Sequence, residues 1–200
     1  MRLAQYLFGY GSLIDAASRS KTGDTGPAYP VRVAGLQRAW HVVAPRSGYT
    51  VAGVKPQREA SCNGVLMELA PHALPHFDAR ERRYHRVIIP QQAVTCLSGE
   101  SLSFATIWAY MTSCPGVPSD AYPLVQSYID VILTGCLAIG VDFAVEFIET
   151  THGWGSAWLN DRMHPRYRRA MAETPRAAEI DQQLHALVPH AFSHRRDPVR

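Results

Sequence analysis

Residues 5–13 read QYLFGYGSL, an apolar segment that runs directly into a glycine-bearing loop. The segment 5–8 predicts a short strand, because it is apolar and stops at a glycine. Gly9 and Gly11 let the backbone approach a ligand closely, and backbone N–H groups exposed in such a turn can bind an anion or an oxyanion. The stretch therefore predicts a strand that leads into a ligand-binding loop, with a simple strand-ending turn as the alternative.

This loop does not fit the two common nucleotide-binding motifs. A P-loop carries a Lys-Ser/Thr pair after its glycines, whereas the nearest lysine here is Lys21. The glycine spacing also differs from that of the Rossmann fingerprint. We therefore set aside a nucleotide-phosphate site at this position.

Length and composition indicate one domain with an ordinary core. The 200 residues are 46% hydrophobic and 18% charged, and the net charge is +3. That excess comes from residues 161–200, which hold 8 arginines and 5 acidic residues. No nucleic-acid partner is expected, since nucleic-acid binders usually carry a stronger basic stripe with interleaved aromatics. The Arg-rich tail is predicted to be a solvated helix face, and an interaction surface is the alternative.

Cysteine usage and hydropathy indicate a cytoplasmic protein without a membrane partner. No Cys-x-x-Cys pair occurs among Cys62, Cys96, Cys114 and Cys136, which argues against a zinc site and a disulfide scaffold. Cys96 and Cys136 lie in apolar runs and are predicted to be core residues. No apolar stretch approaches the roughly 18 residues that span a bilayer, and the first apolar run is too short for a signal peptide.

The order of the predicted elements is mostly strands first and helices later. Turn-forming and polar residues predict loops at 21–30 and 57–63. Strands are predicted at 5–8, in two pieces within 31–43, and at 49–54, 64–69, 86–89 and 104–111, with helices at 71–84, 119–140, 141–149 and 177–188. This order favours an α+β domain around a closed or strongly curved, largely antiparallel sheet.

Residues 77–86 read FDARERRYHR and form the second candidate for chemistry. Leu74, Phe77, Asp78 and Glu81 follow helical spacing, which puts Glu81 on the apolar face of the predicted helix or at its border. A carboxylate shielded from water can act as a general base. The alternative is a surface ion-pair cluster, because four arginines lie within five positions of Glu81.

Together, a strand that ends in Tyr-Gly-Ser and an Asp-x-x-Glu segment about 70 residues later resemble the γ-glutamyl cyclotransferase-like superfamily. This group includes γ-glutamyl cyclotransferases, γ-glutamylamine cyclotransferases and the ChaC-type glutathione-specific enzymes. The resemblance extends to 63–69 (NGVLMEL), to 105–110 (ATIWAY), and to Ser127-Tyr128 with Gly135, and it covers roughly residues 5–140. Arg82 stands where many relatives have glycine after the acidic residue, whereas Arg80-Glu81 is more similar to the ChaC subgroup.

The resemblance implies a fold and a domain organisation. The fold would be α+β, a small closed or strongly curved, mostly antiparallel β-barrel with flanking helices and a helical C-terminal extension. Residues 1–150 would form the cyclotransferase-like domain. Residues 151–200 would pack on it as an extension rather than fold as an independent domain.

The resemblance also implies a reaction and a site. A cyclotransferase-type lyase, placed in glutathione metabolism, would use Glu81 as general base to release 5-oxoproline and an amine or amino acid. The substrate would be a small γ-glutamyl compound, bound without metal or cofactor by a monomer or homodimer. Its binding residues would be Tyr10, Gly11, Ser12, Leu13 and Tyr128. A non-catalytic carboxylate-binding module on the same fold stays open, as does a role for Tyr128 as a core residue.

Two further groups of residues allow more than one interpretation. His72 and His76 have a metal-ligand spacing, but Pro75 intervenes and no third ligand is evident, so no metal site is predicted. Residues 158–169 are dense in arginine and aromatics. In that segment Arg162 or Arg166 could pair with a substrate carboxylate or form a dimer contact, and a helix-capping loop with solvated arginines is the alternative.

Overall fold

The structure is a computed structural model, and it describes residues 4–70, 72–82, 84–99, 106–112 and 115–198. These residues form nine strands and six α-helices, so the α+β class is confirmed. The strands are β1 Gln5–Gly9, β2 Thr25–Ala44, β3 Tyr49–Leu69, β4 His85–Ile88, β5 Val94–Cys96, β6 Thr106–Met111, β7 Leu124–Val125, β8 Thr151–His152 and β9 Trp158–Leu159. The helices are α1 Ala16–Ser20, α2 Leu74–Arg80, α3 Gln126–Ile139, α4 Val141–Thr150, α5 Ala177–Leu187 and α6 Pro189–Ser193.

The strands form one mixed sheet with the main order β4-β6-β1-β3-β2-β5. β1 pairs antiparallel with β3 and parallel with β6, which puts it in the middle of the sheet. The short strands β7 and β8 add parallel pairings to β3 and β2. Within the described residues, β4 and β5 at the two ends are not paired with each other. The sheet is mixed and not closed, so the predicted closed or strongly curved, mostly antiparallel barrel is not confirmed.

β2 and β3 form a hairpin much longer than the sequence predicts. The predicted loop at 21–30 is largely part of β2, and the predicted loop at 57–63 lies inside β3. Antiparallel pairing satisfies the backbone whatever the side chains are, so the polar, exposed part of β3 continues as strand. Register shifts interrupt the ladder, one of them beside Gly35, whose φ of 81° is a conformation that favours glycine.

Two predicted helices begin or end at other residues than expected. α2 ends at Arg80, so Glu81 is its C-cap, with φ −97° and ψ 30°, instead of lying within the helix. Pro71, the predicted helix start, lies outside the described residues. α3 begins only at Gln126, because Ser119 and Tyr122 form an isolated bridge and the next residues form β7.

The remaining elements agree better with the prediction. β1, β4, α4 and α5 match their predicted segments within one or two residues. β6 begins at Thr106, and the predicted strand residues 104 and 105 lie outside the described part of the chain. No helix in that part is long and apolar enough to cross a membrane.

Alternating side chains of β1 supply two hydrophobic clusters on opposite faces of the sheet. Leu7 packs into the larger cluster, which the helices cover, whereas Tyr6 and Phe8 pack into the smaller one. Ile180 and Leu184 of α5 are fully buried in the larger cluster. Residues of 151–200 thus share this core, and the domain division at residue 150 stays a prediction.

Gly135 lets α3 lie directly on the loop that follows β1. A Cβ atom at this position would stand 2.6 Å from the backbone nitrogen of Asp15. Backbone cannot move aside as a flexible side-chain end can, so this close approach requires glycine. The contact fixes α3, and Tyr128 with it, against the glycine-bearing loop.

Candidate functional site

The glycine-bearing loop continues from β1 into a short 3-10 turn, Ser12–Ile14. Asp15 then caps α1 by accepting a hydrogen bond from the Ser18 backbone nitrogen at 2.6 Å. No side-chain cap protects the start of the 3-10 turn, so its first backbone N–H groups have no side-chain acceptor. A Cβ atom on Gly11 would lie 2.9 Å from the Tyr128 hydroxyl oxygen, so the loop and α3 approach each other closely here.

A cavity of about 50 Å³ lies between this loop, the end of α2 and α3. All six residues that the sequence selected line it, including Glu81 and Tyr128 from distant segments. The full lining is Phe8, Gly9, Tyr10, Gly11, Ser12, Leu13, Ala52, Arg80, Glu81, Tyr84, Tyr110 and Tyr128.

Glu81 is a largely buried carboxylate that forms an ion pair with Arg80. Its side chain is 18% exposed, and Oε1 lies 3.0 Å from Arg80 Nε. Burial raises the pKa of the Glu81 carboxyl above its ordinary value of 4.5, although the nearby Arg80 and Arg169 act in the opposite direction. Glu81 therefore combines a raised proton affinity with a position at the cavity wall.

Arg80 connects Glu81 to the glycine-bearing loop. Its Nη2 donates to Ser12 Oγ at 3.0 Å, and Nη1 donates to Thr22 Oγ1 and to the backbone oxygen of Ser18. The guanidinium is only 7% exposed, so these hydrogen bonds form largely out of water. The alternative was a surface cluster of arginines around Glu81. Among the described residues, Arg80 pairs with Glu81 and lines the cavity, whereas Arg86 pairs with Asp78, and Arg83 lies outside them.

The tyrosines at the cavity differ in what their hydroxyl groups do. Tyr10 donates to the backbone oxygen of Tyr110 at 2.6 Å, so it acts as a wall and its proton is engaged. Within the described residues the Tyr128 hydroxyl has no hydrogen-bond partner, and burial raises its pKa well above 10.0. Tyr128 thus stays neutral near pH 7 and keeps a proton that it can donate.

Asp78, the other acid of the acidic segment, is fully engaged. The Tyr110 hydroxyl donates to its Oδ1 at 2.7 Å, and Arg86 pairs with it at 2.8 Å. Asp78 does not line the cavity. Glu81 is therefore the acid of this segment that can meet a ligand there.

Six of the lining residues were not selected from the sequence as binding residues, and three of them carry polar side chains: Arg80, Tyr84 and Tyr110. Arg80 and Tyr84 flank Glu81 in sequence, so the helix prediction could have placed them near it. Tyr110 lies near the end of β6, which pairs with β1, and the strand pattern alone carries no sign of its role.

The Arg-rich C-terminal segment does not supply an arginine to the cavity. Arg162 binds two carboxylates, with Nε 2.7 Å from Asp130 and Nη1 2.8 Å from Asp181. Arg166 lines a different cavity, beside Trp158. The option in which Arg162 pairs with a substrate carboxylate is therefore not supported, because its donors already serve the protein's own acids.

The cysteines and histidines within the described residues do not form a metal-binding cluster. Cys62 and Cys136 are buried free thiols, whereas Cys96 is only half-buried, so its predicted core position is wrong. Cys114 lies outside the described residues. His72 is exposed and lies 3.5 Å from Asp24, and the described part of the chain contains no group of three His, Cys, Asp or Glu residues that could hold a metal ion.

Comparison with solved structures identifies the fold. A γ-glutamyl cyclotransferase structure matches with a TM-score of 0.58 and 13% identity, over 72% of this chain and 86% of that one. An uncharacterized protein from Homo sapiens matches with a TM-score of 0.56 and 14% identity, over 73% and 87%. YkqA from Bacillus subtilis matches with a TM-score of 0.52 and 17% identity, over 70% of this chain and 51% of that one.

The sequence itself matches no protein-family profile and no curated protein. The likeness is thus one of three-dimensional structure, and it agrees with the resemblance inferred from the loop and the acidic segment. The chain has the γ-glutamyl cyclotransferase-like fold.

Proposed function

We propose that this protein is a γ-glutamyl cyclotransferase-type lyase in which Glu81 is the general base. The single observation that supports this most strongly is the position of Glu81. A mostly buried carboxylate with a raised pKa lines the same cavity as the Gly11-Ser12-Leu13 loop. General bases work best with a pKa near the working pH, so the direction of this shift suits the role.

In the proposed reaction the substrate carries its own nucleophile. Glu81 takes a proton from the α-ammonium group, whose pKa is about 8 in model peptides, and the free amine attacks the γ-carbonyl carbon. A new N–C bond closes the five-membered ring, and the bond from the γ-carbonyl carbon to the leaving nitrogen breaks. On ring closure the attacking nitrogen gives up a second proton. Through Glu81 both protons end on the leaving nitrogen, which gives 5-oxoproline and a protonated amine or amino acid.

The rest of the cavity suits the ring-closing step. Negative charge develops on the γ-oxygen, and backbone N–H groups at Gly11, Ser12 and Leu13 would stabilise it. Losing one such donor typically costs on the order of 3 kcal/mol of activation free energy. Tyr10 and Tyr128 would hold the glutamyl chain in a folded conformation, which speeds an intramolecular reaction.

A carboxylate-binding module is the second candidate. The Arg80 guanidinium lines the cavity and donates to Ser12 Oγ, so the site has a buried cation as well as an acid. A ligand carboxylate could be held by Arg80 and the loop without any reaction. The two candidates differ in one observable, the release of 5-oxoproline.

The test incubates purified protein with a panel of γ-glutamyl dipeptides, glutathione and γ-glutamylamines, and measures 5-oxoproline by mass spectrometry. We expect at least one substrate to be cyclised by the wild type and none by Glu81→Gln, which keeps the shape of the side chain. Asp78→Asn is the matched control, because Asp78 lies in the same segment but does not line the cavity. Binding of carboxylate ligands in calorimetry without any product would favour the binding module.

A further inference from the structure

The Ser12 hydroxyl is held by two residues from distant parts of the chain. Arg80 Nη2 donates to Ser12 Oγ at 3.0 Å, and the Tyr167 hydroxyl donates to the same oxygen at 2.9 Å. Tyr167 belongs to the C-terminal segment, 155 positions from Ser12, and does not itself line the cavity. It therefore acts on the cavity through Ser12.

These two hydrogen bonds decide where the Ser12 proton can go. A serine hydroxyl has one proton to donate and two lone pairs that accept. Arg80 and Tyr167 use both lone pairs, so the proton is the one remaining hydrogen-bonding capacity of this group. Among the hydrogen bonds of the described residues, Ser12 Oγ occurs only as an acceptor. Since Ser12 lines the cavity, an oxygen of a bound ligand is the acceptor that fits.

Packing and a backbone hydrogen bond hold Tyr167 in the position from which it donates to Ser12 Oγ. Its ring is 7% exposed and meets Tyr128 edge-on, with 4.8 Å between ring centroids. Its backbone nitrogen donates to Ser127 Oγ at 3.2 Å. The fully buried Asp161 accepts from Ser127 Oγ at 2.6 Å and from the Arg166 backbone nitrogen at 2.7 Å.

This network ties the C-terminal segment to α3. Asp161 also accepts from the Ser127 backbone nitrogen at 2.7 Å, in the first turn of α3. The helix that carries Tyr128 and the segment that carries Tyr167 are thus fixed by one buried carboxylate. Both tyrosines reach the glycine-bearing loop from there.

We propose that Tyr167 is a positioning residue of this site: it directs the Ser12 hydroxyl proton at an acceptor oxygen of the bound γ-glutamyl group. The inference rests on the proposed function for the identity of that group. The acceptor is the α-carboxylate or the γ-carbonyl oxygen, because these are the oxygens of the group that a hydroxyl can reach as a donor. Without Tyr167, Ser12 can turn its proton elsewhere and the ligand loses a donor.

A double-mutant cycle tests this directly. Tyr167→Phe, Ser12→Ala and the double variant are compared with the wild type in kcat/KM for the best substrate of the panel and in Kd for 5-oxoproline by calorimetry. Tyr49→Phe is the matched control, because Tyr49 is buried in the same cluster with its ring edge-on to Tyr167 at 6.2 Å and does not line the cavity. Melting temperatures are recorded for all five proteins.

We expect Tyr167→Phe to weaken kcat/KM or 5-oxoproline affinity about tenfold, the effect of one well-placed hydrogen bond. The same substitution in the Ser12→Ala background should have less than a twofold effect, and Tyr49→Phe should have less than a twofold effect. Equal losses from Tyr167→Phe in both backgrounds would overturn the inference, since they would show that Tyr167 acts independently of Ser12. A lower melting temperature of Tyr167→Phe, with the same loss of kcat/KM or affinity in the wild-type and Ser12→Ala backgrounds, would also overturn it.

The two readouts separate this inference from the proposed function. Turnover by the wild type with additive substitutions would leave the cyclotransferase proposal standing and remove the role of Tyr167. No turnover, but coupled losses in 5-oxoproline affinity, would remove the reaction and keep the role of Tyr167. Wild-type protein that neither turns over substrate nor binds 5-oxoproline would contradict both.

Discussion

Two buried carboxylates of this protein differ in how fully their oxygens are used. Asp161 is fully buried and accepts three hydrogen bonds, from Ser127 N, Ser127 Oγ and Arg166 N. Glu81 is 18% exposed, forms an ion pair with Arg80, and faces a cavity. A carboxylate whose acceptor sites are filled by the fold serves stability, whereas one with open sites can exchange a proton with a ligand.

The largest expected effect is the loss of proton transfer when the Glu81 carboxylate is removed. We expect Glu81→Gln to lower 5-oxoproline release by about 10²–10⁴-fold, because the amide cannot take the proton from the substrate amine. Circular dichroism and a melting curve should match those of the wild type. Activity within tenfold of the wild type would mean that Glu81 is not the base.

Removal of the Asp161 carboxylate, which accepts hydrogen bonds only from the protein itself, should lower the stability of the fold. Asp161→Ala leaves three donors without their acceptor, two of them buried, and we expect a loss of about 3 kcal/mol in the free energy of unfolding. Urea denaturation followed by tryptophan fluorescence measures this. Exposed Asp142, in the first turn of α4, provides the control, and Asp142→Ala should change stability by less than about 1 kcal/mol. Equal effects of the two substitutions would contradict the structural role of Asp161.

Removal of the Arg80 guanidinium should change the pKa of the neighbouring Glu81 carboxyl. Arg80 lowers the pKa of the Glu81 carboxyl, so Arg80→Met should raise that pKa further and shift the acidic limb of the kcat/KM profile to higher pH. The loss of the hydrogen bond to Ser12 should also reduce kcat/KM, by about tenfold. An acidic limb that stays in place would show that Arg80 and Glu81 are not coupled in solution.

The smallest expected effect is a pH dependence of stability. Because the folded-state pKa of Glu81 is raised, its protonated form contributes stability that is fully present below the unfolded value of 4.5 and is lost as pH rises through the folded pKa. The difference in unfolding free energy between wild type and Glu81→Gln should therefore change above pH 4.5, with the wild type losing stability relative to the variant. A difference that is constant with pH would contradict the raised pKa.

The sequence predicted the local parts of the site well. The strand before the loop, the loop itself and the acidic segment each depend on neighbouring residues, and short patterns report such structure. Spacing predicted Glu81 on the apolar face of a helix or at its border, whereas the helix ends at Arg80 and Glu81 is its largely buried C-cap. The sequence allowed two roles for Tyr128, a residue of the binding site or a residue of the core. In the structure it is both buried and part of the cavity lining.

The features that the sequence did not predict depend on contacts between distant segments. Residues 57–63 have the polar composition of a loop, yet all of them belong to β3, the long strand that pairs with β2. Arg162 is of a residue type that binds carboxylates, but its guanidinium already pairs with Asp130 and Asp181. The hydrogen bond from Tyr167 to Ser12 joins residues 155 positions apart, and no local pattern contains that information.

The most direct test of Glu81 as the general base is the pH profile of 5-oxoproline release by the wild type, measured beside Glu81→Gln. We predict that kcat/KM of the wild type falls on the acidic side with an apparent pKa above 4.5, the ordinary value for this carboxyl, and that the variant loses the activity. An acidic limb at or below 4.5, or a Glu81→Gln variant with wild-type turnover, would contradict the assignment of Glu81 as the proton-transferring carboxylate of the cavity.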